Sequence, residues 1–334
     1  MRITAADLYE IEIPPIPPIR KYMPKVYDIT LVRLRTDEAI EGWGEYQGKP
    51  AACRAAAEQL VGQDPEKLDA FAYPDSITCA LTDIVGRIWD VPAWRFFGHQ
   101  VRERVPVSYW SCPMEPAETA AEAEVGRRLG FTNHKLKART WNVVETVRLM
   151  KEAAGPDYTV GCDPNTQFQY VPEAARLARE LEPFGTVSVF EDPVLKNNLD
   201  WYRLLRHKTC IPQALHSGAP QHVLAAVKAE CVDYLNLGGS SHSLPKAAGI
   251  AAAADIPVWV QLGGLCTGVL AAWSVHVQST IPNATLPCDE LPFTREADVL
   301  GGSLELSEGH FTVPTGAGLG VQVDMGVVEK YRVG

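Results

Sequence analysis

Apolar and polar positions alternate along the first 48 residues, as in ITLVRLRT at 29–36, which leads into the turn-bearing run TDEAIEGWGE at 36–45. A period of two belongs to strands with one buried face, and short runs of it joined by turns predict an antiparallel meander. Between the first two runs lies PPIPPIRKYMPKVY at 14–27. Proline removes a backbone donor, so this stretch is too proline-rich for a helix or a central strand and predicts a surface loop. From Ala51 to His99 the apolar period is helical, broken at Pro and Gly.

From Val105 a new rhythm begins. VPVSYW is followed by the amphipathic PAETAAEAEVGRRLG, HKLKA by VVETVRLMKEAAG, YTVGCD by PEAARLARELEPFG, and VSVFED by LDWYRLLRHK. CIPQALH, VDYLNLG and PVWVQLG each precede another helical run, and ATLPCD ends the series. Strand-like runs separated by helices predict parallel pairing. Eight regular units without a glycine-rich phosphate loop favour a closed α/β barrel over an open doubly wound sheet. Residues from about Leu300 onward read as short strands and turns returning to the first domain. The chain therefore divides into a small α+β capping domain at 1–104, a barrel at 105–299 and a returning segment at 300–334.

Composition narrows the function. Hydrophobic residues at 46% and charged residues at 22% suit a soluble globular protein, and the net charge of -10 argues against nucleic acid as a partner. No apolar run is long enough to span a bilayer, and MRITAADLYEIEIPP lacks the layout of a signal peptide. The eight cysteines are scattered without paired spacing and read as reduced thiols in a cytoplasmic protein.

In a parallel barrel the side chains at the carboxyl ends of the strands converge on one pocket. Here those ends carry Lys135 and Lys137, Asp163 and Asn165, Glu191 and Asp192, His216, Asn236, Gln261 and Asp289. Lys135 and Lys137 are two apart and share a face. Charges gathered in an apolar mouth are costly unless they pair or bind an ion. A purely stabilising ion-pair network would explain any one of them, but the set on successive strand ends points to function. Asp163, Glu191 and a third ligand would hold a hard divalent cation. A carboxylate bound there has an acidified α-proton, which a desolvated lysine removes to leave an enediolate. Lys137 is the candidate base and Lys135 the electrostatic partner of the substrate oxygens.

Cys162 and Cys266 flank this site but read as small buried thiols, and His134 should point away from the pocket and pack. The GGSSHS run at 238–243 reads as a turn that caps the next helix, or as an anion site on backbone N–H groups.

These motifs together resemble the enolase superfamily, in its mandelate racemase/muconate-lactonizing enzyme branch, over nearly the whole chain. GWGE at 42–45 is similar to the capping motif, and ALTDIVGRIWDVPAWRFFG at 80–98 to the helix leading into the barrel. KLK at 135–137, DPN at 163–165, FEDP at 190–193, IPQALH at 211–216 and GHFTVPTGAGLGVQVD at 309–324 follow in the family's order. The resemblance implies a modified TIM barrel, (β/α)7β, with a capping domain, Mg2+-assisted proton abstraction from a small-molecule carboxylate, and often a homo-oligomer. It also implies that PPIPPIRKYMPKVY closes over substrate, making Arg20, Lys21 and Tyr22 candidate substrate contacts beside Asn165, Asn236, Gln261 and Asp289.

Three positions depart from the family. His216 stands where a third acidic ligand is expected, which would suit Mn2+ or Zn2+ better than Mg2+ or leave the site metal-free. Gly238 stands where the muconate-lactonizing branch has a lysine, and Gln261 where the racemase branch has a histidine. With one base and no second opposite it, racemisation is disfavoured. A dehydratase or other lyase is expected first, with His216 as ligand or acid, and a cycloisomerase or epimerase second. A metal-independent acid–base enzyme using Lys137 and His216 and a non-catalytic binder of small acids are the remaining readings.

Overall fold

The alternating stretch forms three strands, β1 (Ile3–Ile11), β2 (Ile29–Thr36) and β3 (Glu41–Gln47), paired antiparallel in that order. The computed structural model describes residues 1–302 and 304–333. Between β1 and β2, in place of an open loop, Pro17–Arg20 make one helical turn, α1, entered through proline, whose missing N–H is not needed there. Ile16 N–H donates to Thr294 O at 2.9 Å, and Ile19 is buried among Trp110, Cys112, Met114, Leu265 and Leu291. The proline-rich segment is thus pinned to the barrel.

Two helices follow, α2 (Ala51–Glu58) and α3 (Asp75–Trp89). The GWGE motif explains how they meet the sheet. A Cβ at Gly42 or Gly44 would collide with the backbone of α3 at Ala80 or Ser76, so glycine lets helix and strand touch. The alternate residues Trp43 and Glu45 face the barrel, both buried. Gly44→Ala is expected to cost about 1–3 kcal/mol, from overpacking against a backbone that has no rotamer to yield. An unchanged melting temperature would contradict this close approach.

β4 (Arg104–Pro106) leads into a parallel sheet of seven strands in sequential order: β5 (Tyr109–Ser111), β6 (Asn133–Leu136), β7 (Thr159–Cys162), β8 (Val187–Glu191), β9 (Gln213–His216), β10 (Tyr234–Leu237) and β11 (Val258–Val260). The helices between them are α4 (Pro116–Arg128), α5 (Val143–Ala154), α6 (Val171–Leu181), α7 (Leu199–Arg206), α8 (Pro220–Lys228) and α9 (Leu244–Ala253), and α10 (Gly268–Ser279) follows β11. Their apolar faces and the outer sides of the strands form one continuous core.

The eighth run, ATLPCD, is not a strand, because Pro287 interrupts its ladder. It still bridges the two edges of the curled sheet. Leu286 N–H donates to Val258 O at 3.2 Å, Cys288 N–H to Pro106 O at 2.8 Å, and Ser108 N–H to Cys288 O at 3.0 Å.

The last residues return as expected, but not only as strands and turns. β12 (Leu306–Ser307) and β13 (His310–Thr312) form a hairpin on β4, and a helix, α11 (Met325–Tyr331), packs beside β1. Asp324 caps α11 by accepting from Gly326 N–H at 2.7 Å, a start signal that the strand-like reading passed over. Among the described residues no helix is long and apolar enough to cross a membrane.

Candidate active site

The strand ends bring Lys135, Lys137, Asp163, Glu191 and Asp289 into one ion network. Lys135 projects from β6 into the barrel with 5% of its surface exposed. Its Nζ lies 2.6 Å from Asp289 Oδ2, 2.7 Å from Glu191 Oε2 and 3.4 Å from Asp163 Oδ2. Burial alone would lower its pKa, but the three carboxylates outweigh burial and hold it well above the ordinary lysine range. Lys135 is therefore a fixed positive charge. Lys137, one residue past β6, is more open and has one carboxylate partner, Asp163 Oδ2 at 2.5 Å.

Burial opposes ionisation of Asp163, yet Lys135 and Lys137 hold it below the usual carboxylate range. Its other oxygen accepts from Asn165 N–H at 2.9 Å. Glu191 is pushed the other way, by burial and by the charges of Asp163 and Asp289, against the pull of Lys135. Asn236 steadies it, donating from Nδ2 to Glu191 Oε1 at 2.8 Å and to Gln261 Oε1 at 2.9 Å. Asp289 also accepts from Trp259 Nε1–H at 2.9 Å.

His216 closes β9 beside Glu191, with Nδ1 3.8 Å from Glu191 Oε1. Asp192 holds its backbone, Oδ1 accepting from His216 N–H at 2.9 Å. Asp192 has φ of 47°, a left-handed conformation that non-glycine residues adopt at a cost and that gathers at functional sites. Its second oxygen pairs with Lys196 at 2.5 Å. Burial, then the charges of Lys196 and Lys135, push His216 down to about 3, so the imidazole is neutral at physiological pH and keeps a free lone pair.

Lys135, Lys137, His216, Gln261 and Asp289 line a cavity of about 260 Å³ at this end of the barrel. Asn236 is buried beneath it, and Asn165 lies to the side of Asp163 with its backbone in a left-handed turn. Arg20, Lys21 and Tyr22 do not line it: Arg20 pairs with Glu296, and Lys21 and Tyr22 with Glu118. The sequence reading missed Gln47, Tyr27 and Trp110 as lining residues, and Lys196 as the partner of Asp192. Gln47 was findable, because it continues the Trp43, Glu45 face of β3.

The donor set fits a divalent cation. Glu191, Asp192 and His216 place ligand atoms within 4.8 Å of one another, whereas Asp163 is drawn toward the lysines. The separation of Glu191 from His216 is too long for a hydrogen bond and short enough for both to reach one ion. Four carboxyl groups, of Asp163, Glu191, Asp192 and Asp289, meet three lysine side chains, of Lys135, Lys137 and Lys196. Burial pushes Glu191 and Asp192 toward their protonated forms, which a bound cation would reverse.

Other singled-out residues play supporting parts. His134 is buried against Ser111 and Tyr158, on the far side of β6 from the lysines. Cys162 and Cys266 are buried thiols with raised pKa, inert as nucleophiles. The GGSSHS turn does take an anion, but one of the chain's own: Ser241 N–H and Oγ donate to Asp75 at the start of α3.

The family described as enolase C-terminal domain-like has a sequence profile that matches residues 118–327. A D-galactonate dehydratase of Klebsiella pneumoniae (strain 342) is 28% identical over 356 aligned positions, 90% of this chain and 90% of that protein. Among solved structures, the 2-chloromuconate cycloisomerase of Rhodococcus opacus 1CP superposes with a TM-score of 0.86 at 23% identity, covering 100% of both chains. The N-succinyl Arg/Lys racemase of Bacillus cereus ATCC 14579 does so with a TM-score of 0.85 at 21% identity, covering 100% of this chain and 99% of the other.

Proposed function

Since the chain belongs to the enolase superfamily, in its mandelate racemase/muconate-lactonizing enzyme branch, we propose that it removes the proton next to the carboxylate of a small acid and expels water from that acid. The observation that carries this reading is the asymmetry of the cavity. Lys137 opens into it from just past the end of β6, while β10, which faces β6 across the curled sheet, offers Asn236 and, one residue past its end, Gly238, and no proton acceptor. Inversion at the α-carbon needs groups on both faces. Elimination needs one.

Glu191 and His216 would hold a divalent cation together with Asp192, which lies beside them, or with Asp163 once it exchanges a lysine for the ion. Mg2+, Mn2+ and Zn2+ are all compatible with two oxygens and a nitrogen. When bound, the ion supplies positive charge to the substrate carboxylate. Lys135, kept protonated by its three partners, adds a second fixed charge beside it. Lys137 takes the α-proton as the neutral amine, and the ammonium group so formed returns it to the departing β-hydroxyl on that face, so hydroxide leaves as water and the amine is restored. This syn course needs no imidazolium, which agrees with a neutral His216. The dehydratase among the relatives supports sugar acids as the substrate class.

The test is to incubate the protein with a panel of sugar acids and Mg2+ or Mn2+, and to follow α-keto acid as its semicarbazone. Keto acid from at least one compound, abolished by chelator and restored by the ion, is expected. Inversion of the α-centre without keto acid would contradict elimination, and turnover that survives chelator would contradict the metal.

A further inference from the structure

The imidazole of His216 owes its place to a residue on the neighbouring strand. We propose that Gly238 is a positioning residue, and that its bare backbone is the floor on which His216 lies with Nδ1 turned toward Glu191. The inference rests on the metal-assisted reading above and extends it to a residue that contacts neither ion nor substrate.

Three observations carry it. A Cβ built at Gly238 would overlap His216 Nε2 and come within 3.2 Å of His216 Cδ2 and of Gln261 O. The backbone of His216 cannot retreat, because it pairs in register with Asn236 and its N–H is held by Asp192. Only the ring is free to move, and any side chain at 238 must turn it. The ring's two nitrogens then exchange roles or both leave Glu191, whose Oε1 now faces Nδ1 at 3.8 Å. Nearby Gly218 supplies a contrast. A Cβ there would collide with the carbonyl of Gly238, which is backbone, so its substitution strains the fold whatever His216 does.

The experiment compares wild type with Gly238→Ala, His216→Ala, the double variant of these two, and Gly218→Ala made in both wild type and His216→Ala. Three quantities are read: melting temperature, Mn2+ affinity by calorimetry, and the rate at which diethyl pyrocarbonate modifies His216 at fixed pH, resolved by peptide mass spectrometry against the other histidines. Gly238→Ala is expected to melt close to wild type, because its one severe overlap is with the end of a flexible side chain, while the 3.2 Å approach to Gln261 O asks for only a slight shift. Its His216 should react severalfold faster, and its Mn2+ affinity should fall at least about tenfold, as when a group that orients a ligand is lost. The double variant should bind no more weakly than His216→Ala, since both changes act through one ring. Gly218→Ala should lower the melting temperature equally with His216 present or absent.

Unchanged modification of His216 in Gly238→Ala would overturn the proposal, as would losses that multiply in the double variant. Should wild type bind no Mn2+, the metal-assisted reading fails by itself, while the modification rate still decides whether Gly238 orients His216.

Discussion

Lys137→Ala is expected to lower turnover by about 10²–10⁴-fold, the usual contribution of one general base, while leaving the melting temperature near wild type. Lys137 is the lysine with its head in the cavity and a single ion partner, so its removal leaves one carboxylate, Asp163, that Lys135 still faces at 3.4 Å. Lys137→Arg should be equally inactive. Guanidinium keeps the positive charge but does not give up its proton near neutrality. Rates measured on whichever sugar acid the panel identifies check both variants. Retention of most activity by either would remove Lys137 from the mechanism.

The second large effect is on stability. Lys135→Met should destabilise the fold by roughly 3–5 kcal/mol at neutral pH, because it strips the shared counter-charge from three buried carboxylates. The pH dependence follows from the sign of the Glu191 shift. A carboxyl group whose folded pKa lies above its unfolded value is stabilised by taking up a proton, so it penalises the fold most at high pH and least as pH falls through the folded pKa. Without Lys135 the upward pressure on Glu191 grows. The deficit of Lys135→Met, read from urea denaturation, should therefore shrink between pH 8 and pH 5. A deficit that widens toward acid would show that Lys135 is not the charge that favours ionisation of these groups.

Much of this was legible before the fold was seen. Strand ends were readable because each βα unit runs from a short apolar run into polar residues and then into a helical period, and barrel geometry sends those polar residues to one mouth. The eighth unit looked the same in pattern, but Pro287 forbids a regular ladder, and backbone bonds from Leu286 and Cys288 substitute for it. Arg20, Lys21 and Tyr22 were singled out through a family resemblance. Nothing in their own sequence announces Glu118 and Glu296, which lie far along the chain and meet them only through tertiary packing. Lys196 shows the opposite case: it stands four residues from Asp192, yet the turn that aims them at each other depends on a left-handed backbone that sequence alone does not mark. The role of Gly238 was invisible for the same reason, since its neighbour in space is on another strand.

The central claim is that the strand-end cluster is built to hold a divalent ion beside Lys137. Calorimetric titration of wild type with Mg2+, Mn2+ and Zn2+, repeated on Glu191→Gln and His216→Ala, tests it most directly. One ion per chain, bound at least about tenfold more weakly by each variant, is the expected result. No binding of any of the three ions, or binding that neither substitution alters, would contradict it.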